Sequence, residues 1–235
     1  IENFRVECLR SILVNTHLTE ASYNAGVERY FFSSSACAYN TDLQKDPNVR
    51  ALKESDAYPA MAERGYGWEK LMSEMFCQEY WAERRLETHI ARFHNVYGPH
   101  GTWDGGREKA PAALSRKVIE AKESGNHEIV IWGNGEQTRS FCYVDDLIEG
   151  ILLLLNSDEH LPVNIGNPSE MTVLQFAEEI IRIIGASSKI GFRDLPVNDP
   201  KVRQPDITLA RRLLDWEPTV RLEDGLATTI EYFKT

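Results

Sequence analysis

Tyr66-Gly67-Trp68-Glu69-Lys70 places a phenol and an ammonium four residues apart. On a helix, two side chains at that spacing share one face, one turn apart. The ammonium favours phenolate over phenol and so lowers the phenol's pKa. A phenol tuned towards neutral pH can take a proton from an alcohol while a hydride leaves the same carbon. Tyr-x-x-x-Lys also arises by chance on surface helices, so the neighbouring elements carry the weight.

Those elements alternate helix and strand. Apolar residues at Phe4, Cys8, Leu9, Ile12, Leu13 and Ala21 predict a helix over 4–25, stopped by Gly26. Residues 27–32 read as a buried strand running into Ser33-Ser34-Ser35-Ala36-Cys37-Ala38-Tyr39, where small polar residues gather at its carboxyl end. Ligands collect at that edge of an open α/β sheet. A loop over 40–62, with Pro47 and Pro59, precedes a helix over 66–83 and a strand over 88–93. A long loop follows, and Pro111 opens a helix towards Lys122. Strands are predicted at 128–132 and 162–166, with an apolar helix from Asp145 between them. Thr172 and Gln175 have capping-box spacing for a helix to Ile184, and further helices are expected near 207–214 and 222–234. The alternation predicts an α/β layered architecture.

Composition narrows the class. The 235 residues are 42% hydrophobic and 26% charged, as in ordinary globular proteins, with a formal net charge of −10. No basic cluster suggests a nucleic-acid surface, and Ile151–Leu155 is too short to span a bilayer. No secretory signal opens the chain, and four widely spaced cysteines fit a reducing, cytoplasmic setting. Without Cys-x-x-Cys or His-Glu-x-x-His spacing, no metal site is expected.

Ser35, Tyr66 and Lys70, each just after a strand or on the following helix, resemble the Ser-Tyr-Lys triad of extended short-chain dehydrogenases/reductases. Arg92-Phe93-His94-Asn95-Val96-Tyr97-Gly98-Pro99, Asp145-Asp146 after Arg139-Ser140-Phe141, and Asp199…Arg203…Pro205-Asp206 are similar to the nucleotide-sugar branch of that family, the NAD-dependent epimerases and dehydratases. Ser35-Ala36-Cys37 and the segment from Gly105 to Ala113 look like the active-site segments of the GDP-mannose 3,5-epimerases within it. The resemblance implies a partial Rossmann-like, doubly wound parallel sheet with a smaller C-terminal substrate-binding α/β part. It further implies that residues 1–100 hold the rest of a dinucleotide-binding part and 101–235 mostly the substrate-binding part, with segments interleaved. The family's Gly-rich turn, which cradles the NAD pyrophosphate, does not occur in these 235 residues. The chain is therefore expected to be a piece of a longer protein and to hold NAD weakly as it stands.

By resemblance, NAD is the cofactor, with Tyr66 and Lys70 at its nicotinamide ribose, and the sugar is oxidised at carbon 4. Tyr66 takes the hydroxyl proton and Ser35 orients the hydroxyl. The keto group acidifies carbons 3 and 5, where Cys37 as thiolate and Lys109 as ammonium are the expected base and acid, provided their pKa values move towards neutrality. Cys37 could instead be a small buried hydrophobe, and Lys109 a solvated loop charge. Arg139 and Arg203 are either surface charges or bidentate ligands of the diphosphate. Ala36, Asn95, Glu108, Ala110, Lys117 and Gln137 complete the expected nucleotide-sugar pocket. His94 is expected to be a packed, hydrogen-bonded residue, and Cys8, Cys77 and Cys142 structural. The helices over 4–25 and 66–83 are expected to pair in a homodimer.

The leading expectation is thus conversion of GDP-mannose to GDP-L-galactose, with GDP-L-gulose as a further product. UDP-glucuronate decarboxylation, or another 4-oxidation of a nucleotide sugar, is the alternative within the fold, against which Cys37 argues. A non-catalytic nucleotide-sugar-binding or assembly subunit is the alternative of another class.

Overall fold

The computed structural model describes residues 4–45, 51–106, 108–194 and 203–234. Pro47, Arg107 and Asp199 lie outside them. The chain opens with α1 (Phe4–Asn24), ended by Gly26 at φ 69°, a left-handed turn that a side chain would strain. β1 follows over Arg29–Ser35, three residues beyond the predicted end. The extension arises because Ser33, Ser34 and Ser35 pair in register with Ala91, Arg92 and Phe93, and the ladder is made by backbone groups that serine supplies as well as valine. A single 3-10 turn, Ala36–Ala38, starts there, with Ser35 Oγ accepting from the Cys37 N–H at 3.2 Å.

Short 3-10 turns at Leu43–Lys45 and Glu54–Ala57 interrupt the loop before α2 (Tyr66–Arg84) and β2 (Glu87–Phe93). Next come β3 (Val96–Tyr97), α3 (Ala110–Ser124) with Pro111 in its first turn, β4 (Glu128–Trp132), β5 (Thr138–Ser140), β6 (Cys142–Tyr143) and α4 (Val144–Leu155). β7 (Val163–Ile165) and β8 (Glu170–Thr172) lead to α5 (Val173–Ile184). The expected capping box opens α5: the Gln175 N–H donates to Thr172 Oγ1 at 3.1 Å and the Thr172 N–H to Gln175 Oε1 at 2.9 Å. β9 (Lys189–Arg193), α6 (Thr208–Leu214) and α7 (Leu222–Lys234) close the chain.

The described strands β1, β2 and β7 form a parallel sheet in that order. Alternation along β2 feeds both of its faces. Ile90 packs with Phe32 and Cys77 beneath α2, whereas Ala91 joins Leu147, Leu154, Ile207, Leu214 and Trp216 beneath α4 and α6. With α1 and α2 packed together on one side and α4 and α6 on the other, the sheet is doubly wound, as expected. β7, α4 and α6 reach it from beyond residue 100.

A second core gathers α3, α5 and α7 around Val118, Ile131, Phe176, Ile180 and Leu226. Its edges are the parallel pair β4–β9 and the antiparallel pair β5–β8. The sequence did not predict β3, β5, β6, β8 or β9, none of which is longer than five residues. Segments that short carry no usable period, and their partners are remote in sequence. No described helix is long and apolar enough to cross a membrane.

Candidate active site

Tyr66, Lys70 and Glu74 recur at one-turn intervals along α2, which lies against β1. They meet three consecutive serines at the carboxyl end of that strand. Lys70 Nζ donates to the Ser33 carbonyl at 3.0 Å, the Ser34 hydroxyl donates to Glu74 Oε1, and the Ser35 hydroxyl steadies the Tyr66 phenolate. Glu74 is in turn held by buried Arg92, through Nε at 2.9 Å and Nη2 at 2.7 Å. Burial works against the Arg92 charge, but the Glu74 carboxylate outweighs it and raises the guanidinium's pKa. Arg92 Nη1 donates to the Glu54 carbonyl at 2.7 Å, so the loop before α2 is tied to the same knot.

The expected effect of Lys70 on Tyr66 is not found. Burial is the largest influence on the phenol and pushes its pKa up from 10.0, with the Cys37 and Glu69 charges adding to it. The Lys70 ammonium sits 5.3 Å from the Tyr66 ring centroid, bonded to Ser33 and 3.8 Å from the buried Glu69 carboxylate. Glu69 partly neutralises it and is itself bonded to Asn15 of α1 at 3.1 Å.

Cys37 stands two residues from Ser35, half-buried in the 3-10 turn packed on α2. Gly67 permits that packing: a Cβ there would lie 2.1 Å from the Cys37 carbonyl oxygen. Burial pushes the thiol pKa up, Arg203 opposes the rise, and Glu63 adds to it. Arg203 donates from Nη1 to Cys37 Sγ at 3.5 Å, from Nε to Gln44 Oε1 at 2.8 Å, and from Nη2 to Glu63 Oε2 at 3.4 Å. The guanidinium expected at a diphosphate is therefore engaged by the thiol and its neighbours. Ala36 is buried in the same turn.

The remaining expected residues lie on the loops and helix of the second core. Asn95, at φ 41°, donates from Nδ2 to the Ser140 carbonyl at 3.1 Å and accepts from the Cys142 N–H at 3.1 Å on its own carbonyl, joining the end of β2 to β5 and β6. Arg139, half-buried, donates to the Thr138 carbonyl at 2.7 Å, and Gln137 donates to the Trp132 carbonyl. Lys109 is exposed just ahead of α3, whose first residue is Ala110, and lines a cavity of about 180 Å³ with Tyr97, Gly98 and Thr229. Glu108 pairs with Arg116 at 2.7 Å, and its own backbone N–H together with that guanidinium lowers its pKa. Lys117 donates to the Val130 carbonyl at 3.1 Å beside a cavity of about 420 Å³ lined by Trp132 and Arg193; burial lowers its pKa.

Ser35, Cys37, Tyr66, Lys70 and Arg203 thus converge at the carboxyl end of β1. Among the described residues, no hydrogen bond or ion pair joins that group to Glu108, Lys109 or Lys117. His94 is buried, bonded to Asn164 Oδ1 at 3.1 Å, and kept neutral by burial, which pushes it down to about 3. Cys8, Cys77 and Cys142 are buried, and burial pushes Cys77 and Cys142 up to about 12. No cluster of His, Cys, Asp or Glu among the described residues could hold a metal ion.

Sequence reasoning missed Glu63, Glu74 and Glu69. Glu74 had a signal, since it extends the Tyr66–Lys70 spacing by one further turn. Glu63 had none, because its place beside Cys37 depends on the loop that precedes α2.

A phenol and an ammonium side by side at the carboxyl edge of parallel strands fit the nicotinamide-ribose end of a dinucleotide. The model of the NAD dependent epimerase/dehydratase family matches residues 7–166. The chain belongs to that family. GDP-mannose 3,5-epimerase 1 of Oryza sativa subsp. indica is 40% identical over 238 residues, covering 99% of this chain and 60% of the relative. UDP-glucuronic acid decarboxylase 1 of Xenopus tropicalis is 36% identical over 200 residues, covering 84% of this chain and 46% of the relative. The chain thus spans about 60% of the length of the rice relative it matches. Among solved structures, UDP-glucose 4-epimerase of Thermotoga maritima, with UDP-glucose, matches 100% of this chain and 72% of its own at a TM-score of 0.88 and 27% identity. Membership of the epimerase/dehydratase family accounts for the doubly wound sheet.

Proposed function

We propose that the protein epimerises GDP-mannose at carbons 3 and 5 through transient oxidation at carbon 4. The observation that carries this reading is Cys37: a half-buried thiol, two residues from the Ser35–Tyr66 pair and faced by the Arg203 guanidinium at 3.5 Å. The 40% identity to the rice GDP-mannose 3,5-epimerase supports it.

NAD would be held at its nicotinamide ribose by Tyr66 and Lys70 and would supply the hydride acceptor for carbon 4. Tyr66, ionised to phenolate, takes the carbon-4 hydroxyl proton on its phenolic oxygen; burial opposes that phenolate and the Ser35 hydroxyl favours it. Ser35 orients the hydroxyl, and Lys70 binds the nicotinamide ribose from its seat on Ser33. With carbon 4 oxidised, Cys37 as thiolate removes the neighbouring proton, and the Arg203 charge stabilises that thiolate. Lys109 returns a proton from the opposite face of the ring. Arg139 holds the diphosphate, while Asn95, Glu108, Lys117 and Gln137 shape the nucleotide pocket. A second subunit covers the exposed apolar side chains of α1 and α2.

UDP-glucuronate decarboxylation is the second reading, favoured by the 36% identity to the Xenopus decarboxylase. It gives the Cys37 thiol no task. The test uses protein expressed from its complete reading frame, supplied with NAD and either GDP-mannose or UDP-glucuronate, in deuterium oxide. NMR is expected to show deuterium entering carbons 3 and 5 of GDP-mannose. Tyr66→Phe should abolish this entry, and Cys37→Ala or Lys109→Ala should each slow it by ~10²–10⁴-fold. Wild-type exchange in Cys37→Ala would remove the epimerase reading, and carbon dioxide release from UDP-glucuronate would establish the second one.

A further inference from the structure

The geometry points to Glu63 as the proton acceptor of Cys37, held in place by Arg203. This rests on the proposed role of Cys37 as base. Such a base must be a thiolate before it acts and must lose the abstracted proton afterwards. Cys37 therefore needs a group that takes its proton and passes it to water.

Glu63 meets that requirement by position. Its N–H donates to the Cys37 carbonyl at 3.1 Å, which fixes the two residues side by side. Its carboxylate shares Arg203 with the thiol, one guanidinium nitrogen reaching Sγ at 3.5 Å and the other Glu63 Oε2 at 3.4 Å. Arg203 cannot slide away to serve one partner alone, because Nε is fixed on Gln44 at 2.8 Å. The Glu63 side chain is 45% exposed and that of Arg203 15%, so the carboxylate is this cluster's outlet to water. The groups facing Cys37 are Arg203, Glu63, the Tyr66 phenol of α2 and the Ser35 hydroxyl of β1. Among these groups the guanidinium only donates and the two hydroxyls already carry a proton, which leaves the carboxylate oxygen as the acceptor.

The step balances within the cluster. The S–H bond breaks, an O–H bond forms on Glu63, and the negative charge moves from carboxylate to sulfur. It stays beside the same guanidinium throughout. Arg203 therefore stabilises both ends of the transfer; the proton removed from the sugar refills the sulfur as thiol, and Glu63 releases its own proton to water, which restores the resting pair. Burial raises the Cys37 pKa, and Glu63 raises it further, so the resting form is thiol beside carboxylate.

Alkylation by iodoacetamide as a function of pH, read peptide by peptide by mass spectrometry, tests the pairing in the protein alone. Cys8, Cys77 and Cys142 are buried and report separately. Glu63→Gln should lower the Cys37 midpoint by ~1 unit, because a negative charge leaves the thiolate's side. Glu63→Asp should stay near wild type. A role in the fold alone would not move this profile in that direction. In the deuterium assay, Glu63→Gln should nevertheless slow exchange by ~10²-fold, although the thiolate is easier to form, and Glu63→Asp should recover most of the rate. An unmoved alkylation midpoint in Glu63→Gln would overturn the pairing. A lowered midpoint with undiminished exchange would overturn the proton transfer. If the wild-type protein exchanges no nucleotide sugar, the proposed function fails, whereas a shifted alkylation profile would still establish the coupling of Glu63 to the thiol.

Discussion

Gly67→Ala sets two effects of known size against each other. Gly67 lies in the first turn of α2 with φ outside the left-handed region, so its backbone suits alanine. Helix propensity alone favours the change by ~1 kcal/mol. Packing opposes it. The new Cβ would lie 2.1 Å from the Cys37 carbonyl oxygen, 2.9 Å from Glu63 Cβ and 3.0 Å from the Cys37 carbonyl carbon. Since real Cβ contacts essentially never fall under 3.0 Å, about 0.9 Å of separation must be found. The clashing oxygen belongs to the backbone of the Ala36–Ala38 turn, which cannot rotate aside like a side chain. Overpacking of this kind costs ~1–3 kcal/mol, and the absence of a yielding partner puts this case at the upper end. The net expectation is a loss of ~1–2 kcal/mol, or roughly 2–8 °C in Tm for a chain of this size. The displaced turn carries Cys37 away from Arg203, whose charge lowers its pKa, so the pH midpoint of Cys37 alkylation should move up. Urea unfolding at unchanged slope measures the first effect and peptide-resolved alkylation the second. A Gly67→Ala protein as stable as wild type, or more so, would show that α2 and the Cys37 turn are not in the contact described.

The Glu74–Arg92 pair is almost fully buried, at 1% and 2% side-chain exposure. Arg92→Met should therefore cost ~3–5 kcal/mol, while the double change with Glu74→Leu should cost much less; a double-mutant cycle with no coupling would show the pair to be energetically idle. Burial holds the Cys77 and Cys142 thiols at about 12 against 9.0 for the free thiol. Unfolded chains lose these protons first as pH rises, so stability should be full below pH 9 and fall by ~1 kcal/mol per pH unit per thiol towards pH 12. Replacing Cys77 by Ala should remove one thiol's share of that slope in urea titrations at stepped pH. Leu9, Leu13 and Leu18 of α1 and Trp68, Met72 and Met75 of α2 are exposed, so the protein should be a dimer by light scattering at micromolar concentration. A monomeric mass would refute the helix pairing.

Much of this protein is local information. Hydrophobic period, Gly26, Pro111 and the Thr172–Gln175 box marked its long helices, because caps and periodicity act within a turn or two of the chain. Tyr66 and Lys70 were readable as a pair for the same reason: on a helix, spacing is geometry. The tertiary structure alone decided the rest. It carried β1 through Ser33–Ser35, since strand length is set by the partner strand and not by side-chain type. It raised the Tyr66 pKa where spacing had suggested a fall, because burial acts on the phenol more strongly than an ammonium already bonded to Ser33 and close to Glu69. It also brought Arg203 and Glu63 to Cys37 from 166 and 26 residues away in sequence, a meeting produced by packing of the loop before α2 against the segment before α6, for which no local pattern exists.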